Sequence, residues 1–177
     1  MYVQTESRRF KMNESVHAEV LLETAISNLC KKHGFTISSA ESCTGGLVAG
    51  TLINAPGISS VFKEGFITYS NDAKQQRLGV SLDTLEQYGA VSTQTAYEMA
   101  VGCAKFANTD FSIVTTGIAG PDGGTLEKPV GLVYMACYAR GQVQVERRVY
   151  SGDRQQIRTQ AVNDALKLLF DMIVISL

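Results

Sequence analysis

Histidine is nearly missing from this chain: His17 and His33 are the only two in 177 residues. Both sit in or beside the first helical pattern, which leaves a Ser–His–Asp triad without a well-placed base and a zinc site without a His cluster. The four cysteines, Cys30, Cys43, Cys103 and Cys137, stand far apart with no Cys-x-x-Cys pair. That spacing excludes a compact disulfide scaffold and a zinc ribbon, and it points to reduced thiols. Charge of one sign is also lacking. Sixteen Lys and Arg against seventeen Asp and Glu give a net charge of −1, so no overall basic field draws in nucleic acid or an anionic membrane. The Arg8-Arg9 and Arg147-Arg148 pairs are too short to change that. No apolar run is long enough to span a bilayer, and the first twelve residues hold no hydrophobic signal region. The expectation is a soluble cytoplasmic protein with no metal, no nucleic acid and no membrane partner.

What is present is ordinary globular material. Apolar residues make up 45% and charged residues 19% of the chain, enough for one domain with a sizeable core. Residues 1–13 show no apolar period and read as a flexible N-terminal extension; the domain is expected over 14–177. Ala18, Leu22, Ala25, Ile26 and Leu29 recur at helical spacing until Gly34 stops the run. Residues 35–38 alternate as a strand, and small apolar residues over 45–54 suit a buried helix. A strand is expected over 65–69, followed by a short helix capped by Asn71 and carrying Lys74. Ser92 is the N-cap of a further helix with Ala96, Met99, Ala100, Cys103 and Ala107 inward.

A strand over 111–115 then empties into a glycine-rich loop. Residues 130–138 and 142–150 read as a hairpin turning at Arg140-Gly141. A last helix opens near Asp153 with Ile157, Ala161, Ala165, Leu168, Leu169 and Met172 as its buried stripe. Alternating strands and helices followed by a hairpin predict an α/β fold, one mixed sheet with helices on both faces. Ser42, Tyr69 and Thr116 all fall just past predicted strand ends, where ligands bind such sheets.

The heptad Ala40-Glu41-Ser42-Cys43-Thr44-Gly45-Gly46 is the densest chemical signal. It joins two nucleophile candidates, a carboxylate and two glycines where a strand hands over to a helix. Such a segment can hold an anion or oxyanion beside an attacking hydroxyl; it can equally be a tight turn in which Ser42 is a cap. A serine nucleophile needs a base. Lys74, in Tyr69-Ser70-Asn71-Asp72-Ala73-Lys74, can serve if burial lowers its pKa from about 10.4 toward roughly 7–8. Otherwise it is a solvated helix lysine. Cys43 is the rival nucleophile, because a helix N-terminus can depress a thiol pKa; its other reading is a small buried hydrophobe. Residues 42 and 43 point differently, so one of them is expected in the pocket. The loop Thr115-Thr116-Gly117-Ile118-Ala119-Gly120-Pro121 can cradle a phosphate with backbone N–H groups and threonine hydroxyls. It is neither a P-loop nor a dinucleotide fingerprint. Arg154 and Arg158 can add positive charge. A non-catalytic nucleotide-binding module would use the same loops, whereas a Ser–Lys peptidase is disfavoured because no Ser-x-x-Lys begins at Ser42.

Taken together, the heptad resembles part of a larger pattern. With Ala55-Pro56-Gly57, the Tyr69 to Lys74 block, Gly89-Ala90-Val91-Ser92, Thr116-Gly117-Ile118-Ala119-Gly120-Pro121 and Lys128-Pro129-Val130-Gly131, it is similar to the C-terminal domain of the competence/damage-inducible CinA family. The resemblance runs over residues 16–172. It implies a single three-layer α/β/α domain and hydrolysis of the carboxamide of nicotinamide mononucleotide, a step of pyridine nucleotide salvage, without a cofactor. It further implies Ser42 as nucleophile, Lys74 as base and Tyr69 as helper. Glu41, Cys43, Thr44, Gly45, Gly46, Thr116, Gly117, Ile118, Ala119, Gly120 and Arg154 are then expected around the substrate, in a homodimer. Some relatives carry an additional N-terminal domain, for which this chain has no room.

Overall fold

The computed structural model describes residues 9–10 and 20–177. The expected start of the first helix at Ala18, and most of the expected 1–13 extension, lie outside the described residues; within that extension Arg9–Phe10 (β1) pairs antiparallel with Val20–Leu21 (β2). Helix α1 (Leu22–His33) has Glu23 in its first turn and Lys31, Lys32 and His33 in its last, charges that complement the helix dipole. Gly34 closes it in the left-handed region at φ 71°.

Five strands form the central sheet: β3 (Ile37–Glu41), β4 (Phe62–Ile67), β5 (Phe111–Gly117), β6 (Leu132–Ala139) and β7 (Gln142–Val149). Their order is β4-β3-β5-β6-β7. The β3 strand is parallel to both β4 and β5, while β5–β6 and β6–β7 are antiparallel. The sheet is therefore mixed, as the alternation of elements predicts. Five further α-helices follow among the described residues: α2 (Leu47–Leu52), α3 (Asn71–Leu78), α4 (Leu82–Tyr88), α5 (Thr93–Ala107) and α6 (Arg154–Ile175). Two apolar clusters separate three layers. One joins α1, α2 and α6 to Ile37, Phe111, Ile113 and Met135. The other joins α3, α4 and α5 to Ala40, Val114 and Ala136. No helix among the described residues is long and apolar enough to cross a membrane.

Most elements lie where their patterns predict, with informative shifts. The predicted strand 35–38 is instead Ile37–Glu41, so the strand carries the chain into the heptad itself. Helix α2 starts later than the expected 45 because Gly45 and Gly46 hold φ of 61° and 98°, values outside helical backbone, and it ends at Leu52. The cap of α3 is Ser70, whose side chain accepts from Ala73 N–H, and not Asn71. Helix α4 has no apolar period and escapes detection; Ser81 caps it. Ser92 caps α5, and α6 opens with a capping box between Asp153 and Gln156. The β6–β7 turn is at Arg140 and Gly141, both with positive φ, as a two-residue hairpin loop requires.

Alternation along β3 decides what each side chain meets. Ile37 belongs to the α1/α2/α6 cluster and Ala40 to the α3/α4/α5 cluster. With a period of two, Glu41 turns toward α2 and Ser42 toward α3. The position of α3 is itself set by a close approach: a Cβ on Gly102 of α5 would overlap the carbonyl of Leu78, the last residue of α3. Gly102→Ala is expected to force the two helices apart and lower stability by about 1–3 kcal/mol, read as a lower urea midpoint with an unchanged m-value.

Candidate active site

The register of three strands builds one rim. Glu41 pairs with Ile67 on one side and Thr115 on the other, so Ser42, Thr68 and Thr116 follow side by side at the carboxyl ends of the strands. A cleft of about 280 Å³ opens there, lined by Ser42, Cys43, Tyr69, Lys74, Thr116 and Gly120, among others. Its volume is near the lower end for small-molecule sites.

Ser42 and Lys74 meet in this cleft. Lys74 Nζ lies 3.1 Å from Ser42 Oγ, and it donates to the carbonyls of Thr68 at 2.9 Å and Tyr69 at 3.4 Å. Lys74 is 1% exposed and Ser42 8%, so the lysine is not the solvated helix residue its position in a polar segment allows. Removal from water disfavours the ammonium and lowers the amine to a pKa of about 8; the nearby Cys43 opposes that shift.

Glu41 explains why Ser42 is free. Its carboxylate is 1% exposed and accepts from Gly46 N–H, Val48 N–H and Ala49 N–H at 3.0, 3.0 and 2.8 Å, and from Thr44 Oγ1 at 2.6 Å. Those N–H groups are the start of α2, whose capping residue would otherwise have to supply an acceptor. Glu41 is therefore bound into the loop and does not line the cleft. Thr44 is fully buried, with Oγ1 also 2.7 Å from Thr115 Oγ1. Gly45 and Gly46 form the turn, with Gly45 N–H donating to Ser42 O. The side chains of Glu41 and Thr44 are thus engaged within the loop and Gly45 and Gly46 form its turn, so none of these four expected residues is among those that line the cleft. Arg158 belongs to the same framework. Its Nε donates to Cys43 O at 3.0 Å and its Nη2 to Thr44 O at 2.7 Å.

Both Ser42 and Cys43 line the cleft, against the expectation that one would. Their chemistry differs. Burial pushes the Cys43 thiol up to about 11, an effect that Glu41 strengthens and that its own backbone N–H, Lys74 and Arg158 only partly offset. All four cysteines are buried and free.

The glycine-rich loop lines the opposite wall with Thr116, Gly117, Ile118, Ala119 and Gly120. Both loop hydroxyls are engaged within the protein: Thr116 Oγ1 donates to Ala90 O at 2.7 Å and Thr115 Oγ1 lies 2.7 Å from Thr44 Oγ1, while Ile118 N–H donates to Leu132 O. Gly117 remains within β5. The loop N–H groups not engaged in those bonds belong to Ala119 and Gly120. Arg154 crosses the rim, with Nη1 donating to Gly120 O at 2.7 Å and Nη2 to Tyr69 Oη at 3.2 Å. Tyr69 is 62% exposed and stands at the mouth. Ala90, Val91, Asp122 and Gly123 also line the cleft. Sequence reasoning assigned them no role, although the Gly89-Ala90-Val91-Ser92 block was a usable signal.

The chain is similar to known proteins over most of its length. The family model described as the CinA C-terminal domain matches residues 19–173. A provisionally named competence-damage inducible protein of Clostridium beijerinckii is 53% identical over 166 residues, which cover 93% of this chain and 40% of that relative. The chain thus spans about two fifths of the length of such relatives. Among solved structures, the competence/damage inducible protein CihA of Agrobacterium tumefaciens is 44% identical with a TM-score of 0.78, over 84% of this chain and 95% of that one. A CinA superfamily protein of Enterobacter cloacae is 32% identical with a TM-score of 0.84, over 93% and 99%.

Two outcomes are expected from the framework. Glu41→Ala leaves three backbone donors and one hydroxyl without their acceptor and should lower stability by about 3 kcal/mol, measured by chemical denaturation. With its thiol near 11, Cys43 in the folded protein should react with iodoacetamide at neutral pH about 100-fold more slowly than an ordinary thiol. Intact-mass kinetics before and after denaturation check this.

Proposed function

We propose that this chain, which belongs to the CinA C-terminal domain family, hydrolyses the carboxamide of nicotinamide mononucleotide to nicotinate mononucleotide and ammonia. The observation that carries the reading is a water-excluded amine 3.1 Å from a serine hydroxyl in a cleft. A neutral amine has two hydrogens, one for each of the Thr68 and Tyr69 carbonyls, which leaves its lone pair for the Ser42 O–H. Lys74 takes that proton as Ser42 Oγ attacks the amide carbon. The pyridinium charge makes this carbon more electrophilic, so the chemistry calls for no metal or cofactor.

The oxyanion then needs donors. Gly45, Gly46, Val48 and Ala49 N–H groups are engaged within the loop, so the available pair is Cys43 N–H and Thr44 N–H. Each such donor contributes about 3–4 kcal/mol. Collapse of the tetrahedral species breaks the C–N bond, and the Lys74 ammonium returns its proton to the departing nitrogen as ammonia. Water, deprotonated by the same amine, releases the acyl group as nicotinate mononucleotide. Arg154 with the Ala119 and Gly120 N–H groups suits the substrate phosphate, which separates the nucleotide from free nicotinamide. The same reading expects a homodimer acting in the cytoplasm.

Ammonia release from nicotinamide mononucleotide by purified protein without added metal is the direct test. Ser42→Ala and Lys74→Met should each reduce turnover by at least about 1,000-fold while substrate still binds. Binding without release by the wild type would instead identify a nucleotide-binding module. Turnover retained in Ser42→Ala but lost in Cys43→Ala would move the nucleophile to the thiol. Because the base must be unprotonated and its pKa is lowered to about 8, kcat/KM should rise with pH through about 8 and fall tenfold per unit well below it.

A further inference from the structure

Arg158 is a cation inside the nucleophile loop's framework that the proposed reaction does not use directly. It comes from the second turn of α6 and reaches a loop 115 residues away in sequence. It does not line the cleft, unlike Arg154, and its bonds go to two consecutive carbonyls, Cys43 O and Thr44 O. The guanidinium packs against the turn itself: a Cβ on Gly45 would be in ordinary van der Waals contact with Arg158 Nη2, at 3.4 Å.

A planar trans peptide points its N–H away from its C=O. Holding the Cys43 carbonyl on the guanidinium therefore fixes the direction of the Thr44 N–H at the other end of that peptide. The Ser42 carbonyl accepts from Gly45 N–H, which fixes the Cys43 N–H in the same way. The two N–H groups whose carbonyl partners are thus tied down are those not engaged elsewhere in the loop. A hydrogen bond from a cation to the carbonyl also polarises the peptide and makes its N–H a better donor.

We propose that Arg158 is a positioning residue for the oxyanion hole, acting through the Cys43–Thr44 peptide and not through the substrate phosphate. This rests on Ser42 being the nucleophile in the amidase reading. The guanidinium gives two donors in a fixed fork, which a single ammonium cannot reproduce.

The experiment compares wild type, Arg158→Gln and Arg158→Lys for ammonia release from nicotinamide mononucleotide, and for binding of two ligands by calorimetry. One ligand is the aldehyde analogue of the substrate, which forms a hemiacetal oxyanion with Ser42; the other is the product nicotinate mononucleotide, which does not. Arg158→Gln should lower kcat about 100-fold with KM little changed, and weaken the aldehyde by a similar factor while leaving product affinity unaltered. Arg158→Lys should fall between the two, and it serves as the test if Arg158→Gln does not fold. A rise in KM at constant kcat, or equal weakening of both ligands, overturns the inference and leaves the amidase reading standing. No ammonia from the wild type overturns both.

Discussion

An amine with almost no access to water must either find acceptors for all its hydrogens or give up its proton. Lys74 is held by two backbone carbonyls and the Ser42 hydroxyl, and burial lowers its proton affinity without a neighbouring cation to assist. This is the constraint on which the site depends. The carbonyls of Thr68 and Tyr69 are available because β4 ends at Ile67 and the chain turns there into α3. The amine reaches them because Ser70 caps α3 and Gly102 lets that helix settle against α5.

A second constraint is the division of work between adjacent residues. Glu41 and Ser42 are neighbours in sequence but belong to opposite faces of β3. The carboxylate goes to the α2 side and satisfies the helix start, which relieves Ser42 of a capping role and leaves its hydroxyl toward α3. The heptad thus combines a structural acid and a reactive alcohol through strand alternation. Cys43 shares the cleft, yet the burial that makes Lys74 a usable base makes the thiol a poor nucleophile, since the desolvation that favours a neutral amine also favours a neutral thiol.

Much of this could be read directly from residues. The α5 and α6 stripes, the caps Ser92 and Asp153, the Gly34 stop and the Arg140-Gly141 turn are encoded within a few residues of where they act. The rim of the sheet was legible for the same reason: Ser42, Tyr69 and Thr116 follow strand-like segments. Helix α4 was not, because two leucines in seven residues make no period. The Thr116 hydroxyl's bond to Ala90 O was not legible either, because that acceptor lies in a loop 26 residues away. Arg158 was legible only as a positive charge near a helix start.

Local pattern determined the kinds of element, their order and the small-residue heptad, since caps, turns and periodicity depend on neighbours along the chain. Tertiary structure alone decided that the amine at position 74 meets the hydroxyl at position 42, and that a guanidinium from the last helix holds the loop carbonyls. The physical reason is that desolvation and side-chain reach belong to the packed assembly. A one-residue slip in the register of β3 against β4 and β5 would exchange the faces of Glu41 and Ser42, and no feature of the heptad by itself fixes that register.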